Sequence, residues 1–365
     1  MKIIDLEASF YSCPFEKPVE NSIYTYSKYD LITVHLKTDE GITGFGWVRG
    51  GADVLATVLS LKDVVVGRDP YEYEKIWSLM YRPKITGRKG LGIRAVSCID
   101  IALWDIMGKA ARQPVYKLLG GYTQKLPAYI AGGYYEDSKG IEGLIEEMLK
   151  NVDMGAKAVK MKIGKLLIKE DLKRIEVVRK AIGPDVKLMI DANNAYTPSD
   201  AIEMARGSEA YDVYWFEEPV HPDDLPGLKR VAQKSNIRIA TGENEYTAFG
   251  FRELLINDTV DVINPDAHYC GGITEWKKIA DLARVFNVQV APHGSQQLHC
   301  HLLASISNGL ILEYYPPNTN PILGGQMFEE FLPYENGFVS PPDRPGLGFE
   351  LNRDFMKQYL ISQVS

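Results

Sequence analysis

The sequence predicts an α/β protein built on a closed (β/α)8-type barrel, fronted by an α+β domain that the C-terminal segment completes. Three observations predict it. Ionisable residues end successive apolar runs at a nearly constant interval: Lys162, Asp191, Glu217, Glu243, Asp266, His293 and Glu313 stand 29, 26, 26, 23, 27 and 20 residues apart, each about one βα unit. Amphipathic stretches of helical period follow those runs. The first 122 residues show a different order, short alternating strands and then one long helical run.

In chain order, residues 31–41 and 44–48 read as a hairpin about Asp39-Glu40-Gly41. A helix follows over residues 92–109, where Ile93, Val96, Ile99, Ala102, Leu103 and Ile106 recur near helical spacing. Residues 1–122 are therefore assigned to an α+β capping domain. Barrel strands are predicted at 126–131, 158–164, 186–191, 213–217, 237–243, 262–265, 288–291 and 310–313. Between the second and third, residues 168–182 carry an apolar stripe that stops at Gly183-Pro184, a helix terminator. Eight βα units close most simply into a barrel spanning 123–322. The Pro- and Gly-rich remainder, 323–365, lacks the pattern and is expected to pack back on the first domain.

Composition narrows the function classes. A net charge of -7 disfavours nucleic acid as a partner. No apolar run reaches the roughly 18 residues that cross a membrane. The four cysteines form no CxxC pair, and the N-terminus runs straight into a strand without a signal-peptide pattern, so a cytoplasmic protein is expected.

The C-terminal ends of parallel barrel strands open on one face, where barrel active sites sit. One acidic strand end commonly caps a helix or faces solvent. Seven ionisable strand ends on one rim are costly to bury unless they are paired. Asp191, Glu217 and Glu243 end three adjacent strands, and converging carboxylates repel unless a cation joins them. All-oxygen ligation favours Mg2+, one per subunit. Direct ion pairs with Lys160 and Lys162 are the competing arrangement. These lysines lie two apart on a strand and point the same way. With Val159 and Met161 turned to the helix layer, both face the barrel interior. Burial and like charge are expected to lower the Lys162 pKa towards that of a base. His293 ends the seventh strand beside Asp266 on the sixth, a carboxylate placed to fix its tautomer. His299 and His301 stand two apart in a helical stretch and point roughly 200° apart, so they cannot share one ion and are read as structural.

These motifs resemble the enolase superfamily, specifically its mandelate racemase subgroup (the mandelate racemase/muconate lactonizing enzyme family), over nearly the whole chain. The resemblance rests on Lys160-Met-Lys162, Asp191-Ala-Asn193, Glu217-Glu-Pro219, Gly242-Glu-Asn244, Pro265-Asp266-Ala, the His293 strand end, Glu313 and the helix bearing Asp100-Ile-Ala-Leu-Trp-Asp105. It implies that Asp191, Glu217 and Glu243 bind Mg2+ and that a substrate carboxylate chelates the ion. It implies Lys162 as the base on one face of the substrate and His293, oriented by Asp266, on the other. Lys160 would support the developing charge, Glu313 would hydrogen-bond a substrate carboxylate oxygen, and Asn193 a substrate hydroxyl. The cap loop near residues 11–30, with Tyr11, Asn21, Tyr24 and Tyr26, would choose the substrate, and its polar and aromatic residues suit a polyol acid. Arg82, Lys84, Arg88 and Lys89 form a basic segment that could reach a second anion or simply face solvent.

Two acid–base groups serve either a dehydratase or a racemase. The segments around Ala131-Gly-Gly-Tyr-Tyr135 and Pro292-His-Gly294 are most similar to acid-sugar dehydratases acting on aldonates or aldarates. A racemase or epimerase of 2-hydroxy acids is the alternative, and an inactive carboxylate-binding barrel a remote one. The expected partner is a small polyhydroxylated carboxylate, and the chain is expected to form a homo-oligomer.

Overall fold

The computed structural model describes residues 1–317, 319 and 324–364. Three strands open the chain: β1 (Ile3–Glu20), β2 (Thr25–Thr38) and β3 (Thr43–Arg49) form an antiparallel sheet. The turn between β2 and β3 falls at Asp39-Glu40, as the alternation predicts. The helix Leu91–Ala111 lies across this sheet. Gly44 and Gly46 allow that approach, since a Cβ on Gly46 would sit 2.1 Å from the Cys98 carbonyl oxygen. Asp105 then locks the packing, accepting from the Phe45 amide at 2.8 Å and from the Leu347 amide at 2.8 Å.

Among the described residues, eight parallel strands follow: β4 (Leu126–Gly132), β5 (Ala158–Lys162), β6 (Lys187–Asp191), β7 (Val213–Glu217), β8 (Arg238–Thr241), β9 (Val262–Ile263), β10 (Gln289–Val290) and β11 (Leu312–Tyr314). They pair in chain order from β4 to β10, and β11 pairs with β4. A parallel bridge from Val290 to Gly309 closes the circle. Tyr129, Ala158, Met189, Trp215, Ala240 and Ile311 pack together inside, whereas Val159 and Met161 join the outer layer under the helices. The lysines between them therefore point inward, as their spacing predicts. The helix predicted over 168–182 is Ile168–Ile182, ending at Gly183 with φ 76°.

The C-terminal segment packs on the cap, as expected, where Phe328 meets Trp47 and the Leu347 amide reaches Asp105, and on the barrel as well. A hairpin of β12 (Tyr334–Glu335) and β13 (Phe338–Val339) first adds antiparallel to the start of β4. At the end of the segment β14 (Leu360–Val364) adds to the cap sheet by pairing with β1. The boundary expected at 322/323 lies outside the described residues. The loop expected near 11–30 is instead the upper half of the β1–β2 hairpin, turning at residues 21–24. Ladder hydrogen bonds between these strands, which the weak alternation of that stretch does not reveal, make the difference. Cys13, Cys98, Cys270 and Cys300 are buried and unpaired. No helix of the described residues is long and apolar enough to cross a membrane.

Candidate active site

Strand register brings the site together. Lys162 stands opposite Asp191, and Asp191 opposite Glu217, on three neighbouring strands. Glu243 follows β8 after Gly242, whose φ of 137° turns the chain inward. Oxygens of Asp191, Glu217 and Glu243 lie within 4.8 Å of one another. Burial and the like charges of Asp191, Glu313 and Glu243 push Glu217 up to about 7 against the pull of Lys160. Burial and Asp191 raise Glu243 as well, despite His293. A buried Glu243 oxygen, Oε2, has no hydrogen-bond partner. Oxygen-only donors, mutual repulsion and an orphaned carboxylate oxygen fit a hard divalent cation such as Mg2+.

The lysines also use these carboxylates. Lys162 Nζ lies 2.5 Å from Asp191 Oδ2, and Lys160 Nζ lies 2.7 Å from Glu217 Oε1 and 2.9 Å from Glu313 Oε1. This corrects the expected direction of the Lys162 pKa. Burial and Lys160 do lower it, but Asp191, Tyr134 and Glu243 outweigh them and the net shift is upward. The same carboxylate network holds Lys160 well above its ordinary value against burial. Glu313 sits low, at about 2, because Lys160, His293 and Lys162 overcome its burial.

Lys162, His293, Glu243, Asp266, Asn193 and Tyr24 share the wall of one cavity of about 1100 Å³. Lys160 and Glu313 do not. They are buried, as are Asp191 and Glu217, which that wall also omits, and Glu313 accepts from the Gly294 amide at 2.6 Å and the Tyr315 hydroxyl at 3.2 Å. A buried ammonium with three carboxylates around it has its donors committed.

His293 Nδ1 lies 2.9 Å from Asp266 Oδ2, and its Nε2 comes within 3.3 Å of Glu243 Oε2 without hydrogen-bond alignment. Burial opposes its charge, but Glu243 and Asp266 prevail and hold its pKa well up. Asp266 is itself anchored, accepting from the His268 amide at 2.8 Å as it caps the helix Ala267–Cys270. The His268 ring lies 3.0 Å from the same carboxylate and 5.4 Å from the Trp47 ring of the cap. His299 accepts from the Ala267 amide at 3.0 Å, and the His301 ring reaches the Leu347 carbonyl at 2.8 Å. Burial pulls both down to about 4, so they are neutral structural residues, as read.

Of the cap residues, Asn21, Tyr24 and Tyr26 line the cavity, while Tyr11 packs into the core. Lys84, Arg88 and Lys89 are not among its described lining residues. Lys84 and Arg88 are exposed, and Lys89 pairs with Asp223 and Glu245 at 3.1 and 3.3 Å.

Two groups escaped the sequence reading. Glu218 was quoted only inside a motif, and period-two logic turns it away from Glu217's side. A left-handed φ of 44° instead places its carboxylate on Asn244, Asn194 and Asn193, at 2.7, 3.0 and 3.5 Å. His268 stands two residues after Asp266 and gave no periodic signal.

An eight-stranded barrel whose C-terminal mouth holds a carboxylate triad between a lysine and a histidine–aspartate pair, under an α+β cap, defines a class of enzymes that activate the carbon beside a carboxylate. The chain belongs to the enolase superfamily, mandelate racemase subgroup: residues 7–120 match the mandelate racemase / muconate lactonizing enzyme N-terminal domain and residues 143–355 the enolase C-terminal domain-like family. It is 36% identical over 340 residues to arabinonate dehydratase of Saccharolobus solfataricus, covering 90% of each chain. It is 35% identical over 334 residues to 3,6-anhydro-alpha-L-galactonate cycloisomerase of Streptomyces coelicolor, covering 89% of this chain and 90% of the relative. Its structure matches a racemase from Streptomyces coelicolor with bound magnesium at a TM-score of 0.93 and 33% identity, over 98% of this chain and 100% of the other.

Proposed function

We propose that the protein is a Mg2+-dependent acid-sugar dehydratase that converts an aldonate or aldarate to a 2-keto-3-deoxy acid. One observation carries it: His293 is tethered at Nδ1 by Asp266 and shares with Lys162 the cavity beside the carboxylate triad. A divalent cation held by Asp191, Glu217 and Glu243 would anchor the substrate carboxylate, offset the charge that gathers as the α-proton leaves, and compete with Lys162 for Asp191. Lys162, whose amine would be released when a divalent cation engages Asp191, takes the α-proton. His293, kept protonated by its carboxylates, gives a proton from Nε2 to the departing β-hydroxyl. The resulting enol tautomerises to the keto acid. Lys160 and Glu313 hold the floor of the site, and Asn193 presents an unpartnered Oδ1 to a substrate hydroxyl.

The relatives' names divide among elimination, cycloisomerisation and racemisation, so the choice rests on the site. A protonated His293 suits an acid for a leaving hydroxyl, and the polar wall of Asn21, Asn193, Asn194 and Tyr26 suits a polyol. The buried, unpaired cysteines suit a reducing, cytoplasmic setting. The test is a screen of mono- and diacid sugars with Mg2+ in D2O. Keto acid is the expected product. Deuterium gained at the α-carbon without keto acid would assign racemisation instead.

A further inference from the structure

The cavity that reaches Lys162 and His293 is also lined by two arginines of the cap, Arg49 at the end of β3 and Arg94 in the first turn of the helix Leu91–Ala111. Their guanidiniums rest on tyrosines. Arg49 lies 4.9 Å from the Tyr26 ring and 5.1 Å from Tyr29, and Arg94 lies 4.5 Å from Tyr269. Arg94 also donates from Nη1 to the Arg49 carbonyl at 3.5 Å, yet its buried Nε has no partner. Among the described residues, neither arginine has a carboxylate within 4.0 Å.

Around the reacting end and at Glu136 the charges on this wall are matched. Lys162 faces Asp191, His293 faces Glu243 and Asp266, and Glu136 at the rim pairs with Lys139 at 3.1 Å. Two half-buried cations stacked on aromatic faces, with no carboxylate partner among the described residues, want an anion, and guanidinium forks suit carboxylate or phosphate oxygens. Tyr26 joins this cradle to the reacting end, since its ring lies 4.9 Å from the Arg49 guanidinium and lines the same cavity as Lys162 and His293.

We propose that Arg49 and Arg94 bind a second anionic group at the far end of the acid sugar, and so select doubly anionic substrates over monoacids. This rests on the reading of the site as one for polyhydroxylated carboxylates. The test uses the Mg2+-loaded protein. Calorimetric Kd values are measured for aldarates, for the matching aldonates with a terminal CH2OH, and for 6-phosphoaldonates, with keto acid formation followed in parallel. The doubly anionic ligands should bind about tenfold or more tightly than the aldonates, and the carboxylate and phosphate arms show which anion fits. R49M and R94M should each erase that advantage while leaving aldonate Kd within about twofold. Equal binding of mono- and dianions, no binding of any dianion, or variants that weaken both classes alike would overturn the proposal. Keto acid from aldonates alone would overturn the selectivity and keep the dehydratase reading. Selective dianion binding without keto acid would do the reverse.

Discussion

In the proposed mechanism Lys162 and His293 carry the reaction, and both stand on the rim rather than in the apolar core, so their removal should leave the fold intact. Lys162→Ala and His293→Asn are each expected to lower kcat by roughly a hundred- to ten-thousandfold while circular dichroism and Tm stay close to the parent. Full activity in both variants would remove the mechanism. Asp266→Asn tests the tether. The Asp266 carboxylate favours imidazolium at His293, so its loss lowers that pKa and the acid loses its proton at a lower pH. The alkaline limb of the kcat profile should therefore move to lower pH. An unmoved limb would mean that His293 is not the acid. These residues were legible because each ends an apolar run at βα spacing. The direction of the Lys162 pKa was not, because it depends on how far Nζ sits from Asp191, and spacing along a chain carries no such distance.

At the scale of elements, cap and barrel are joined by named contacts. Thr274 donates to Asp100 from Oγ1 at 2.6 Å and from its amide at 2.9 Å, while Trp104 Nε1 donates to the Thr274 hydroxyl at 2.9 Å. The helical period over 92–109 revealed the buried face of this helix but not the reason for its two aspartates, whose partners lie some 170 and 240 residues away in sequence. The helix also lies so close to β3 that only glycine fits at Gly46. Gly46→Ala should cost about 1–3 kcal/mol in urea unfolding, because the new methyl meets the Cys98 carbonyl and the helix must shift. An unchanged midpoint would show that the sheet and helix are less tightly docked than they are drawn. The β1–β2 hairpin was misread as a loop for a related reason: its regularity comes from cross-strand pairing, and Tyr11 turns to the core where a loop residue would face the cavity.

For the whole molecule, metal and pH act on stability through linkage. Mg2+ that binds the folded triad stabilises the protein by on the order of 3 kcal/mol at a hundredfold excess over Kd, which a thermal scan reads as a rise in Tm. EDTA should reverse both the rise and the activity, and Glu243→Gln should blunt them. Turnover that survives EDTA would refute the ligand assignment. His301 works in the other direction. Its folded pKa, about 4, lies below the unfolded value of 6.5, so the unfolded chain takes up the proton first as pH falls. Stability present above pH 6.5 is lost on the way down, by on the order of 3 kcal/mol at pH 4. His301→Gln should therefore show a shallower fall in Tm between pH 6.5 and 4 than the parent.

The sequence by itself determined the barrel, its count of strands and the chemical identity of the rim, because period and spacing are local properties that parallel strands convert directly into a shared face. Tertiary structure alone decided which rim residues meet the cavity and which lie beneath it. Lys160 and Lys162 have the same spacing pattern, yet one is enclosed by Glu217 and Glu313 and the other borders the substrate space. It also brought Arg49 and Arg94, which no run of charge announces, onto the cavity wall. Proximity across the cap–barrel junction is set by folding, and distance in space is what electrostatics and hydrogen bonding respond to.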